Sequence, residues 1–149
     1  MRRNILWIDD NTVEREAAQR MLRRLEGVQL WAVPSSSEAE RILVNDDVHC
    51  VVTDILRRDS HGRPSHDDGY AFFKSVIRVQ KPALPVIFHT KNLPTSFRVD
   101  LHSQYLSKWE PEDKKAIELE MRLSSSLALY YYSVTNFRCL EADRSNPGN

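Results

Sequence analysis

The chain lacks most features that mark secreted, membrane or nucleic-acid-binding proteins. Only two cysteines occur, Cys50 and Cys139, and their spacing matches no metal-binding motif. No apolar run reaches the 18 or so residues of a membrane span, and the start of the chain does not resemble a secretory signal. The formal net charge is zero, with 21 basic and 21 acidic residues intermixed, which argues against a basic face for nucleic acid. We therefore expect a cytoplasmic protein with no membrane association.

The composition is that of one globular domain of ordinary size. The 149 residues are 41% hydrophobic and 28% charged, as in soluble proteins with a single core. Short apolar runs that suit buried strands alternate five times with amphipathic helical patterns. This alternation predicts an α/β fold, a doubly wound parallel sheet with helices on both faces. The predicted strands cover residues 4–8, 28–33, 50–55, 85–90 and 105–108.

Capping residues place the first three helices. Asn11 begins the first helix, which we expect to stop at Gly27. Ser35 and Glu38 have the spacing of a capping box at the start of the second helix. Gly69 opens the third helix, after a long polar loop that covers residues 57–68.

A long helix is predicted from Pro111 to residue 140, followed by a disordered tail at 141–149. One apolar stripe is expected to cover the sheet; it comprises Ala116, Leu119, Leu123, Leu127, Tyr130, Val134 and Phe137. A neighbouring stripe comprises Ile117, Met121 and Ala128. The second stripe favours a contact with a second copy of the chain or another protein. The alternative is a long helix that folds back on its own core.

Polar groups follow four of the five predicted strands. Asp9 and Asp10 end the first strand, Asp54 the third, Thr90 the fourth and Lys108 the fifth. The carboxyl ends of parallel strands lie at one edge of a sheet, where ligands bind in open α/β folds. Three carboxylates in one pocket repel each other, and hard oxygen ligands of this kind suit Mg²⁺. A carboxylate beside Mg²⁺ can act as a nucleophile toward a phosphoryl group, whose oxygens a lysine and a hydroxyl can stabilise.

With these residues, the sequence resembles the receiver domains of two-component response regulators over about residues 4 to 126. The segments that carry the resemblance are Ile5-Leu6-Trp7-Ile8-Asp9-Asp10, Val51-Val52-Thr53-Asp54, Pro85-Val86-Ile87-Phe88-His89-Thr90 and Tyr105-Leu106-Ser107-Lys108. The resemblance implies a flavodoxin-like five-stranded parallel sheet in the order 2-1-3-4-5. The chain would then be a receiver domain at 1–126, an extension of the last helix at 127–140 and the tail at 141–149.

The resemblance also implies the metal site. Asp54 would be the phosphoacceptor and a ligand of Mg²⁺. Asp10 would bind the ion directly, and Asp9 mainly through water. The backbone carbonyl of Leu56 would be a further ligand.

Three residues on the last two strands have implied roles toward the phosphoryl group. Thr90 and Lys108 would contact it. Tyr105 matches the aromatic residue that swings inward when the threonine is recruited. The phosphoryl donor would be a histidine kinase or a phosphotransfer protein. The protein would catalyse only its own phosphorylation and dephosphorylation, so it would not be a turnover enzyme.

Four features depart from the usual receiver pattern. Fifteen positions separate Asp54 from Gly69, about seven more than usual. Trp109 replaces the proline that usually follows the lysine through a cis bond, and we expect a trans bond or a rearranged loop because a cis bond before a non-proline costs about 3 kcal/mol. Lys91 replaces a small residue, and it would cover the site or add a second cation. The segment from Thr90 to Lys108 is short, with room for at most a short helix.

Simpler or different functions fit some of these residues. Asp9 and Asp10 could be helix caps, and Tyr105 could be a core residue. The departures also fit an interaction-only pseudo-receiver that is not phosphorylated. A Mg²⁺-dependent phosphatase with an aspartyl nucleophile fits less well, because Leu56 stands where such enzymes have a second acid.

The polar loop and the C-terminal residues complete the predictions. The loop acids and histidines could form a second metal site, although a solvated loop fits them better; they are His61, His66, Asp67 and Asp68. About 20 residues beyond the domain cannot hold a DNA-binding module. We therefore expect a stand-alone receiver that does not bind DNA directly and signals through protein contacts, including a homodimer through the C-terminal helix.

Overall fold

A five-stranded parallel sheet forms the centre of the protein in a computed structural model that describes residues 2–57, 61, 63, 68–95 and 97–145. Side chains of the last helix are described as far as Tyr132. The strands are β1 (Arg3–Ile8), β2 (Val28–Val33), β3 (Cys50–Thr53), β4 (Val86–Thr90) and β5 (Ser103–Ser107). Their order is β2-β1-β3-β4-β5. The predicted α/β fold and the strand order are confirmed.

Helices lie on both faces of this sheet. They are α1 (Thr12–Leu22), α2 (Ser36–Asn45), a third helix and a C-terminal helix (Glu112–Ser145). The third helix begins at Gly69 as predicted and has three parts: α-helical Gly69–Phe72, a π-helical turn at Phe73–Ile77 and α-helical Arg78–Gln80. The described residues between β4 and β5 contain no helix, in line with the short segment there. No helix in the described ranges has the length and apolar character needed to cross a membrane.

The caps of the first two helices confirm the expected starts, but α1 is shorter than expected. The Asn11 side chain accepts from the Val13 N–H, and the Ser35 hydroxyl accepts from the Glu38 N–H. Helix α1 ends at Leu22 and not at Gly27, because the chain must reverse direction to begin β2. Gly27 has a φ of 67° in that reversal, and its carbonyl accepts from the Arg3 N–H, which fixes the start of β1 beside β2.

The sheet separates two apolar cores. One face packs against α1 and the C-terminal helix; its buried side chains are Ile5, Trp7, Ala18, Met21, Leu22, Cys50, Val52, Ile87, Leu106, Leu119 and Leu123. The other face packs against α2 and the third helix, where Phe73, Phe88 and Phe97 form edge-to-face aromatic pairs. Because strands β1, β3 and β4 are covered on both sides, their carboxyl ends are held rigidly at one edge.

The C-terminal helix runs five residues past its predicted end at 140. It continues to Ser145, so the expected tail begins too early. The added residues include Glu141 and Arg144, which favour helix, and the first helix breaker in this region is Pro147. Residues 146–149 lie outside the described part of the chain. On the described portion of this helix, Leu119, Leu123 and Leu127 are buried, whereas Ile117 and Met121 are 64% and 68% exposed.

Candidate functional site

Three carboxylates meet at the carboxyl edge of the sheet. Asp9 and Asp10 follow β1, and Asp54 follows β3, in the positions that the sequence predicted. Ligand oxygens of the three side chains lie within 4.8 Å of one another. Asp9 and Asp54 are buried, and Asp10 is partly exposed. The Asp54 N–H donates to the Ile8 carbonyl at 3.1 Å, which keeps the ends of β1 and β3 in register.

Asp9 is held by a lysine and by the backbone. Its Oδ2 lies 2.7 Å from Nζ of Lys108, and its Oδ1 accepts from the Asn11 N–H at 2.9 Å. Burial raises the pKa of Asp9, while the positive charge of Lys108 and the hydrogen bonds act in the opposite direction. Asp9 therefore makes the turn contact of the capping alternative and also belongs to the carboxylate cluster.

Asp54 is paired with an arginine that follows it by three residues. Nε of Arg57 lies 2.7 Å from Oδ1 of Asp54, and both side chains are almost completely buried. Burial raises the pKa of Asp54 to about 7, although the Arg57 guanidinium favours the ionised form. The other oxygen, Oδ2, is buried without a hydrogen-bond partner among the described residues.

Thr90, Tyr105 and Lys108 come together at the ends of β4 and β5. The Thr90 hydroxyl donates to the Asn92 carbonyl at 3.2 Å. The Thr90 carbonyl accepts from the Tyr105 hydroxyl at 3.4 Å and from the Lys108 N–H at 3.0 Å. Tyr105 is only partly buried, so it is not a plain core residue. These contacts place the three residues beside one another, and their roles toward a phosphoryl group stay predictions.

Several solved structures have a similar fold. A response regulator receiver protein from Sinorhizobium medicae WSM419 matches with a TM-score of 0.70 at 21% identity, over 87% of this chain and 97% of its own. The signal receiver domain of an HD domain-containing protein from Pseudomonas fluorescens Pf-5 matches with a TM-score of 0.69 at 20% identity, over 86% and 99%. The chain has the fold of a receiver domain.

A third structure with this receiver fold is the isolated REC domain of RcsB from Salmonella enterica serovar Typhimurium, solved with the phosphomimetic BeF₃⁻. Its TM-score is 0.66 at 21% identity, over 80% of this chain and 87% of its own. No protein-family model and no curated protein matches the sequence. At these identities the similarity establishes the fold, and the chemistry of the site must be argued from its own residues.

Arg57, which lies buried beside Asp54, is a site residue that the sequence alone does not reveal. The sequence predicts that Arg57 belongs to a polar loop at 57–68, whereas the residue is 2% exposed. Besides Asp54, it donates from Nη1 to the Ser36 hydroxyl and from Nη2 to the Thr53 hydroxyl at 3.0 Å. The only signal in the sequence was a cation three residues after the proposed acceptor, a spacing that also occurs in many exposed turns.

Gly69 lies directly against the backbone of Asp54. Its N–H donates to the Ile55 carbonyl at 2.7 Å. A β-carbon at this position would overlap the backbone carbonyl oxygen of Asp54 and lie 2.7 Å from the Thr53 hydroxyl oxygen. The start of the third helix therefore packs directly against the backbone of Asp54, which only a glycine permits.

Lys91 and Trp109, which stand where receivers usually have a small residue and a proline, contact each other. Trp109 is 69% exposed, and its indole N–H donates to the Lys91 carbonyl at 3.1 Å. The Lys91 ammonium lies 5.1 Å from the centre of the indole ring, as in a cation–π pair. No peptide bond of the described residues is cis, so the expected trans bond before Trp109 is confirmed.

The cluster suits a divalent cation. Asp9 pairs with Lys108 and Asp54 pairs with Arg57, so two of the three carboxylates already lie beside a positive charge. The unpartnered Oδ2 of Asp54 and the partly exposed Asp10 are oxygen ligands of the kind that Mg²⁺ binds. The Leu56 carbonyl as a ligand stays a prediction, and the alternative second metal site lies partly outside the described residues, at His66 and Asp67.

Proposed function

We propose that this protein is a response regulator receiver that accepts a phosphoryl group on Asp54, with Mg²⁺, from a histidine kinase or phosphotransfer protein in the cytoplasm. The observation that carries the proposal is the position of Asp54. It stands at the end of β3, within 4.8 Å of the Asp9 and Asp10 ligand oxygens, in a receiver fold. A domain of the same fold that has been solved with a phosphomimetic supports this chemistry.

The attacking atom would be Oδ2 of Asp54. This oxygen has no hydrogen-bond partner among the described residues, whereas Oδ1 accepts from Nε of Arg57 in the absence of a metal. Oδ2 would form the new bond to phosphorus as the phosphorus–nitrogen bond of the phosphohistidine breaks, leaving the donor imidazole and an aspartyl phosphate. Asp54 must be ionised to attack. Burial raises the pKa of Asp54 and so disfavours the ionised form, whereas a nearby cation favours it.

The remaining site residues would stabilise the transferred group. Asp9, Asp10, Asp54 and the Leu56 carbonyl would hold Mg²⁺, which supplies positive charge to the phosphoryl oxygens when bound. Lys108, whose ammonium now pairs with Asp9, would shift toward a phosphoryl oxygen. The Thr90 hydroxyl would exchange the Asn92 carbonyl for another oxygen, and Tyr105, which donates to the Thr90 carbonyl, would respond to that change.

Intact-mass spectrometry tests the proposal. The protein is incubated with acetyl phosphate, with and without Mg²⁺, beside Asp54→Ala. Asp100→Ala is the matched control, because Asp100 also pairs with an arginine, Arg78, at the opposite edge of the sheet. We expect one phosphoryl adduct of about 80 Da in the wild type and in the control, and none without Mg²⁺ or in Asp54→Ala.

A second candidate function is an interaction-only receiver. The observation that favours it is that Arg57 and Lys108 already neutralise Asp54 and Asp9 without a metal. A folded wild-type protein that gains no adduct from acetyl phosphate would support this function and contradict phosphorylation.

The proposed output is a protein contact through the C-terminal helix, most directly with a second copy of the chain. Its outward side carries residues at alternating spacings of four and three, the pattern of a helix–helix seam. They are Ile117, Met121, Ser124, Ala128 and Tyr131, and all five are exposed. Burying this seam between two copies would remove the large exposed apolar side chains from water.

A further inference from the structure

Arg57 is a permanently charged side chain in a buried position. Its guanidinium remains protonated at any ordinary pH, and only 2% of the residue is exposed. Such a charge is stable only when it is paired and hydrogen-bonded. Its partners include Oδ1 of Asp54 at 2.7 Å from Nε, the Thr53 hydroxyl at 3.0 Å from Nη2, and the Ser36 hydroxyl at Nη1.

The same carboxylate is the one that a divalent cation would need. A metal at the three carboxylates would lie a few ångströms from the guanidinium, because both would contact Asp54. Like charges at such distances repel strongly when little water lies between them. Arg57 also occupies one of the two carboxylate oxygens. The metal must therefore bind through the remaining oxygen against this repulsion, or the guanidinium must leave Oδ1.

We propose that Arg57 is a resident counter-ion that competes with the divalent cation for Asp54 and thereby sets the metal affinity of the site. The proposal rests on the proposed function in that it concerns the same carboxylate. Without the metal, Arg57 keeps the buried acceptor charge compensated. When the metal binds, the guanidinium withdraws from Oδ1 and the bond to Ser36, the first residue of α2, changes with it.

Metal titration of variants tests this competition directly. Free Mn²⁺ is counted by electron paramagnetic resonance during titration of the wild type, Arg57→Gln and Arg78→Gln, and Mg²⁺ is then added as the competitor. Arg78→Gln is the matched control, since Arg78 also pairs through Nε with an aspartate, at 2.5 Å. We expect Arg57→Gln to bind Mn²⁺ at least about tenfold more tightly than the wild type, because one unit of opposing charge is removed. The control should match the wild type.

An Arg57→Gln affinity equal to or weaker than that of the wild type would overturn the proposal. If this variant does not fold, judged by its circular dichroism, Ser36→Ala takes its place. Ser36 is partly exposed and holds only one end of the guanidinium. Its loss should loosen Arg57 and tighten Mn²⁺ binding by a few-fold, and an unchanged or weaker affinity would contradict the competition.

The phosphorylation assay on the same proteins separates the two proposals. Tighter Mn²⁺ binding by Arg57→Gln, with no adduct in either protein, would uphold the counter-ion and refute phosphorylation. An adduct on the wild type, with no change in Mn²⁺ affinity upon Arg57→Gln, would uphold phosphorylation and refute the counter-ion.

Discussion

His89 gives the protein a sensitivity to acid that can be worked out from its position. It lies in β4, fully buried, with its ring 5.2 Å from that of Trp7 in an edge-to-face contact. Neither ring nitrogen has a hydrogen-bond partner in the described part of the chain. Burial, together with the positive charges of Lys115 and Lys108, lowers the pKa of His89 to about 2. His89 is therefore neutral in the folded state.

The sign of the effect follows from comparing the two states. In the unfolded chain the imidazole takes up a proton below a pKa of about 6.5, whereas the folded protein does not until far lower pH. The contribution to stability is thus complete above pH 6.5 and is lost as pH falls toward the folded pKa. Between pH 7.5 and pH 5 the loss from His89 alone is about 2 kcal/mol in the free energy of unfolding.

Urea unfolding at these two pH values measures the loss. The wild type is compared with His89→Leu, which is apolar and of similar volume, and with His102→Leu, a control at a partly exposed histidine. The fall in the free energy of unfolding on going to pH 5 should be about 2 kcal/mol smaller in His89→Leu than in the wild type. If the free energy of unfolding falls equally in these two proteins, within about 0.5 kcal/mol, the reasoning is refuted. His89 would then take up its proton as readily in the folded state as in the unfolded state.

Two further predictions concern packing and assembly. Gly69→Ala should destabilise the fold by about 3 kcal/mol or more, because its β-carbon would overlap the Asp54 carbonyl; Gly27→Ala, at a φ of 67°, should cost about 1 kcal/mol. Equal losses in urea unfolding would contradict the overlap. Met121→Glu should convert a dimer to a monomer in sedimentation velocity, while Val79→Glu, on an equally exposed apolar residue elsewhere, should not. A wild type that sediments as a monomer at all concentrations would exclude this dimer.

The sequence alone predicts the strands, the parallel sheet and the cluster of acidic residues, because these depend on local patterns. Short β-branched runs such as Cys50–Thr53 identify buried strands, and parallel strands bring their carboxyl ends to one edge whatever the details of packing. For this reason Asp9, Asp10 and Asp54 could be placed together before any contact was known.

The interactions that complete the site depend on contacts between distant segments. The burial of Arg57 requires Ser36, 21 positions earlier in the sequence, and no local pattern predicts that meeting. The environment of His89 likewise includes Trp7 of β1, a residue from a distant segment of the chain. Similarly, α1 ends early because the chain must turn back to place β2 beside β1. The local sequence pattern alone predicts an end of α1 that is too late.

The C-terminal helix also has a mechanical consequence. Leu127 is the last of its described residues that is buried in the domain, and the helix continues to Ser145. At 1.5 Å per residue, those further 18 residues span roughly 27 Å, more than the length of any strand in the sheet. A tilt of about 10° where the helix leaves the sheet would displace its far end by about 5 Å. A small rearrangement beside β5 would thus be magnified into a movement that a partner holding the far end of the helix could sense.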